Sequence, residues 1–273
     1  MLYGAIIGDI VGSRYEFRKH RSKKFSFFDR KMFFTDDTVM TLAVYEALAK
    51  EEKNNYANLH EEVIYQMKKY GHLYPYAGYG VAFGEWLFSR RSSPYNSFGN
   101  GSAMRVSPVA YFAKSESEVK KLSRMVSEVT HNHPEGIKGA EAVSMCIWLA
   151  RHGIDKEEIK KYVEKNYYSL NFNYEDLRSN YFFNETCMDT VPQAIYCFLT
   201  GNDFEDCIRT GISIGGDSDT LCAITGSIAE AYYGVDEHYK ISAERYLDNK
   251  LLLVLRDAEK REQNKSILKK VYR

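Results

Sequence analysis

The chain has 273 residues, 37 Lys and Arg against 37 Asp and Glu, with 44% hydrophobic and 14% aromatic residues. That length and apolar content exclude a disordered chain and suffice to bury a sizeable core. A net charge of zero excludes a dedicated polyanion binder, and no apolar run approaches the roughly 18–20 residues that cross a bilayer.

Met1 to Gly12 is apolar, lacks a basic leader and is interrupted by Asp9, so it does not read as a signal peptide. Its Gly4, Gly8 and Gly12 stand four apart and line one helical face where another backbone can approach. Asp9 among them reads as a buried carboxylate tying helix ends together. The stretch Arg14–Lys24 carries seven basic side chains, counting His20, with Tyr15 and Phe17 interleaved. A nucleic-acid contact is conceivable, but given the neutral remainder it reads rather as a solvated loop, with a loop near a phosphate-bearing ligand in between. Val39 to Leu48, Ile137 to Ala150 and Leu221 to Tyr233 are apolar nearly all round, as helices buried on most sides are. Amphipathic helices are expected around Glu116–Thr130, Lys156–Lys165 and Glu205–Ile212. Arg256–Arg273 is strongly charged and is expected as a solvated helix or frayed tail. No alternating run is long enough for a sheet, and no linker divides the chain. The fold expected is all-α, one domain over 1–273. Five cysteines without a CxxC pair suit reduced thiols, and the expected location is the cytoplasm.

One piece of grammar occurs twice. Thr35-Asp36-Asp37-Thr38 precedes the first buried helix, and Gly215-Gly216-Asp217-Ser218-Asp219-Thr220 precedes the third. For one such segment helix capping is the preferred explanation. A cap needs one short polar side chain, however, and each segment has three or four. Surplus carboxylates at the start of a buried helix repel one another unless a cation compensates. Asp36, Asp37, Asp217 and Asp219 with Thr35 and Thr220 form an all-oxygen set of the kind that holds Mg²⁺. Four carboxylates suggest two ions with bridging groups. Gly215-Gly216 would let backbone pass close to whatever binds there.

Ser97-Phe98-Gly99-Asn100-Gly101 lies in a small, polar loop. Free backbone N–H groups there can cradle phosphate, and Phe98 can face a base or ribose, although an ordinary tight loop reads the same way. In Thr130-His131-Asn132-His133, no third nitrogen or sulfur ligand stands at zinc spacing. A histidine donating to a substrate oxygen, or a satisfied structural one, fits better. Glu16 on its own carries no signal.

Taken together, GAIIGDIVGSRYE (Gly4–Glu16), FTDDT (Phe34–Thr38), SFGNGSAMR (Ser97–Arg105), THNHPEGIKGA (Thr130–Ala140) and SIGGDSDT (Ser213–Thr220) resemble the ADP-ribosylglycohydrolase family in content and order. The resemblance implies an orthogonal helical bundle. It implies a binuclear Mg²⁺ centre, with Mn²⁺ as an alternative ion, on Thr35, Asp36, Asp37, Asp217, Asp219 and Thr220. It places Glu16 near the metals and the scissile bond, with water oriented by Glu16 or Asp36. Ser97, Phe98, Gly99, Asn100 and Gly101 then hold the ADP portion, and His131 contacts the ligand. The implied activity is hydrolysis of the bond between ADP-ribose and an acceptor in a modified protein or small conjugate. A phosphoester or nucleotide metallohydrolase, and a non-catalytic ADP-ribose-binding or crystallin-like protein, are the alternatives. A monomer is expected, with no membrane or nucleic-acid partner. Tyr95 and Asn96 depart from the Lys-Gly of the serine-linked branch, so acceptor preference is not transferred.

Overall fold

A computed structural model of the chain describes residues 1–18 and 20–271, with side chains described to residue 264. The helices in chain order are α1 (Tyr3–Ser13), α2 (Asp36–Glu51), α3 (Leu59–Leu73), α4 (Val81–Phe88), α5 (Gly101–Met104), α6 (Val109–Phe112), α7 (Glu116–Ser127) and α8 (Pro134–Arg151). They continue as α9 (Lys156–Asn166), α10 (Tyr174–Asn180), α11 (Cys187–Thr200), α12 (Phe204–Ile214), α13 (Ser218–Tyr233), α14 (Glu237–Glu244) and α15 (Asn249–Val271). Among the described residues there is no strand, only an isolated bridge between Gly99 and Thr186. The protein is all-α. No described helix is long and apolar enough to cross a membrane.

The centre is the pairing of α1 with α13, both nearly sealed from water. The glycine spacing explains how close they come. A methyl group on Gly4, Gly8 or Gly12 would overlap the backbone of Gly226, Cys222 or Ser218–Asp219 respectively. Glycine alone permits that approach, and it carries Asp9 of α1 alongside the start of α13. Ser218 Oγ donates to Gly12 O at 2.8 Å and ties the two helix ends. Around this pair stand α8, α11 and α12, while α2 packs on α3 and α15. All five cysteines are free and buried.

The three apolar segments fall inside α2, α8 and α13 as expected. The helix expected to reach Thr130 stops at Ser127, where the amides of Thr130 and His131 both turn back to the Ser127 carbonyl, at 3.2 and 2.9 Å. That turn lifts His131 out of the helix. The described part of Arg256–Arg273 is helical and not a free tail. Ala258 is fully buried, and Arg261, Glu262 and Glu259 pair with Glu52, Arg151 and Lys240. The side chains from 265 onward lie outside the described residues.

The basic stretch is not a free loop either. Arg14 pairs with Asp29, and Lys23 pairs with Asp206 at 2.8 Å. Arg21 donates to the carbonyls of Ile214 and Tyr181, the latter at 2.6 Å. Lys19 lies outside the described residues. Arg21 and Lys23 are thus fastened to α12 and to the residue after α10, and Arg14 to Asp29 further along its own loop.

Candidate metal centre and its cleft

Asp9 is fully buried and accepts four hydrogen bonds from the start of α2. The Thr35 amide donates at 2.9 Å and its hydroxyl at 2.7 Å; the Thr38 amide donates at 3.1 Å, and the Thr38 hydroxyl also points to Asp9. Thr35 Oγ1 also accepts from the Asp37 amide at 3.3 Å. Capping of α2 is therefore complete without Asp36 or Asp37. The Asp36 amide donates to Ala77 O at 2.8 Å, which anchors the residue to the cleft wall. Asp37 is buried, takes the Thr220 hydroxyl on Oδ2 at 3.0 Å, and leaves Oδ1 with no partner among the described residues.

At the start of α13 the turn is set by Gly215 and Gly216, at φ +76° and +84°. A Cβ on Gly215 would come 2.8 Å from Arg21 Nη1, and one on Gly216 would overlap the Tyr181 ring. The two glycines thus make room for the protein's own side chains, not for a ligand. Asp217 occupies the N-cap position without capping, and it accepts instead from Asn100 Nδ2 at 2.7 Å. Asn100 also donates to Thr190 Oγ1 at 3.1 Å. Asn100 is consequently buried as a support for Asp217.

Two groups of three carboxylates result, Asp9, Asp37 and Asp219, and Glu16, Asp217 and Asp219. In each, one oxygen per residue lies within 4.8 Å of the others. Burial first, and mutual repulsion second, push Asp36, Asp37 and Asp219 well above the usual carboxylate range. Burial pushes Glu16 up to about 8, with Asp219, Asp9 and Glu185 adding to it. Asp9 and Asp217 are pushed to about 6 by burial, against the hydrogen bonds they accept. So many acids in a dry place are what a divalent cation relieves, and the orphaned Asp37 Oδ1 is an oxygen with nothing else to bind. The donor set is all oxygen and fits such an ion. Asp9 is the member that sequence reasoning assigned only to structure; a lone Asp in an apolar helix was the available signal.

All of these groups but the sealed Asp9 line a cleft of about 780 Å³. Glu16, Thr35, Asp36, Asp37, Asp217, Asp219 and Thr220 are among its lining residues, and so are Ser97, Gly99, Asn100, Gly101 and His131. Phe98 lies outside it, half-exposed against the His133 ring at 5.2 Å, on an adjoining hollow that shares Ser97 and Gly99. The loop itself is clamped. The amides of Tyr95 and Ser97 donate to Thr130 O, that of Asn96 to Asn132 Oδ1, that of Gly99 to Ser97 Oγ, and that of Asn100 to Glu185 O. Among the described residues this leaves the amides of Phe98 and Gly101 free for a ligand, fewer than an open phosphate cradle offers. Arg105 was not foreseen. Its guanidinium is buried beneath the loop and forms no ion pair among the described residues, and burial lowers its pKa to about 10.

A sequence profile of the ADP-ribosylglycohydrolase family matches residues 1–249. The chain belongs to the ADP-ribosylglycohydrolase family. Human ADP-ribosylhydrolase ARH3 is 26% identical, over 92% of this chain and 90% of its own length. ADP-ribosyl-[dinitrogen reductase] glycohydrolase of Rhodospirillum rubrum is 25% identical over 86% of this chain and 84% of its own. ADP-ribosylarginine hydrolase Tri1 of Pseudomonas putida (strain GB-1) is 24% identical over 86% and 70%. A solved structure, an ADP-ribosylglycohydrolase-related protein complex, superposes with a TM-score of 0.67 at 20% identity, covering 93% of this chain and 94% of that one. That likeness gives this family member the fold.

Proposed function

We propose that this family member is a Mg²⁺-dependent hydrolase that cleaves the bond between ADP-ribose and an acceptor, and so reverses ADP-ribosylation. The observation that carries the reading is the convergence of Asp37, Asp217, Asp219 and Glu16, with buried Asp9 behind them, in a cleft that Ser97, Gly99, Asn100 and Gly101 also line. Asp37, Asp217 and Asp219, with Asp36, Thr35 and Thr220 beside them, would hold two Mg²⁺ ions; Mn²⁺ suits the same oxygens. When bound, the ions supply the positive charge that offsets these acids and fixes the ribose hydroxyls.

The chain's own residues do the rest. Phe98 and the loop before α5 hold the ADP portion, which presents the ribose anomeric carbon to the carboxylates. Hydrolysis breaks the bond from that carbon to the acceptor atom and forms one to the oxygen of water. The carbon becomes electron-poor on the way, and the surrounding carboxylates stabilise it. Glu16, on the cleft wall beside Asp219, takes a proton from the attacking water and passes it to the acceptor atom, which leaves protonated. Asp36, whose amide donates to Ala77 O, is the alternative carboxylate for orienting that water.

The test is incubation with proteins carrying defined arginine- or serine-linked ADP-ribose, and with nucleobase and small-molecule conjugates. Release of ADP-ribose with Mg²⁺ and not with EDTA is expected for at least one linkage. No release from any of them sinks the proposal.

A further inference from the structure

Arg105 follows α5 and is 1% exposed. Its Nη2 donates to Thr130 Oγ1 at 2.7 Å, its Nε and Nη1 have no partner, and its plane sits 5.6 Å from the Phe83 ring centre. Thr130 is fully buried, and the same hydroxyl lies 2.8 Å from His131 Nδ1. A guanidinium has no acceptor, so Thr130 Oγ1 accepts from Arg105. Among the described residues the hydroxyl's single hydrogen then has one partner able to receive it, His131 Nδ1. Were Nδ1 protonated instead, that hydrogen would be buried with no acceptor. The imidazolium is ruled out in the same way. Burial, and then the charge of Arg105, hold His131 well below the usual histidine range.

We propose that Arg105 and Thr130 are positioning residues that lock His131 as the neutral imidazole with its proton on Nε2, a donor aimed at the ligand over Gly99 and Gly101. The glycines complete the argument. A Cβ on Gly101 would stand 3.3 Å from Nε2 and one on Gly99 3.5 Å, so the nitrogen opens onto backbone kept free of side chains. The ring makes no other hydrogen bond among the described residues, and His131 lines the cleft. The donor is therefore fixed in direction and charge before any ligand arrives, and it meets an oxygen acceptor without reorganising. Arg105 adds a buried positive charge under the same loop, which favours an anionic group there. That the ligand is an ADP-ribosyl group rests on the proposed function; the tautomer does not.

The experiment has two readouts. Two-bond ¹⁵N–¹H correlation spectra of the ¹⁵N-histidine-labelled protein report which nitrogen of His131 carries the proton, and calorimetry with Mg²⁺ reports affinity for free ADP-ribose. Wild type is expected to show a protonated Nε2 and a bare Nδ1 between pH 6 and 8. Thr130→Val is expected to bring the two nitrogen shifts together as tautomers exchange, and to weaken ADP-ribose binding about tenfold or more. Thr130→Ser, which keeps the hydroxyl, restores both. A protonated Nδ1 in wild type overturns the proposal even if Thr130→Val does not fold. Wild-type affinity in a folded Thr130→Val overturns it as well. Neither readout needs turnover, so failure to hydrolyse any conjugate bears on the proposed function alone.

Discussion

At the start of α2, Thr35 and Asp9 take the amides of Asp37 and Thr38 while Ala77 takes that of Asp36; at the start of α13, Asp217 sits in the capping position with no side-chain cap bond. The two segments look alike as strings of acids and threonines. In space, an acid from outside the segment takes over capping at α2, and a support from outside, Asn100, holds the uncapping acid at α13. Both arrangements leave carboxylates facing the same point. Asp9 and Thr35 thus serve the cap of α2, while Asp37 and Asp217 cap neither helix with their side chains, and substitution can separate the two sets.

The largest effect is expected at Asp219, which belongs to both groups of three carboxylates. Asp219→Asn should lower ADP-ribose release by more than about a hundredfold, beyond the usual loss for a residue that only supports a ligand. Because it removes one of several repelling charges, it should leave the metal-free protein at least as stable as wild type. A large loss of stability in EDTA would show that Asp219 is structural. Asp9→Ala should behave in the opposite sense. It strands two amides and two hydroxyls at the start of α2, and a loss of about 2–4 kcal/mol in denaturant unfolding is expected. If Asp9→Ala unfolds like wild type, the division between the two helix starts fails. Asn100→Ala should fall between them, with Mg²⁺ affinity or activity down about 10–100-fold and a smaller change in stability. Titration of each variant with Mg²⁺, followed by assay and melting, checks all three.

Much of this was legible before the coordinates. The glycine spacing of α1 gave a close helix contact because only one residue type lets two backbones meet there, and the apolar runs gave α2, α8 and α13. The acid–threonine segments pointed to one site although about 180 residues separate them. What was not legible depends on partners distant in sequence. Arg21 and Tyr181 give Gly215 and Gly216 their reason, and nothing local announces it. The basic stretch looked free because its acceptors, Asp29, Asp206 and two carbonyls, come from elsewhere. Asn100 reads as a ligand contact within its loop and becomes a support only when Asp217 arrives beside it. The α3 helix, with Leu59, Val63, Met67 and Tyr70 buried on one stripe, was not singled out in the sequence because its charged residues dilute the apolar signal.

The smallest effect expected concerns pH, and it bears on both helix starts at once. Folded-state values of about 6 for Asp9 and Asp217 and about 8 for Glu16 stand above the roughly 4 of unfolded carboxyls. Between about pH 4 and 8 the folded chain therefore holds more protons at these groups than the unfolded chain. Stability from them is greatest at the acid end and is lost as pH rises through the folded values. In EDTA the Tm should accordingly fall between pH 5 and pH 8. Mg²⁺ bound as proposed would compete for the same oxygens, and a ligand of the native state stabilises by mass action. It should raise Tm more at pH 8, where fewer protons must be displaced, than at pH 5. A Tm in EDTA that climbs from pH 5 to 8, with no response to Mg²⁺ at pH 8, would mean that the acids at the start of α13 are as fully satisfied as the cap of α2, and the contrast between them would disappear.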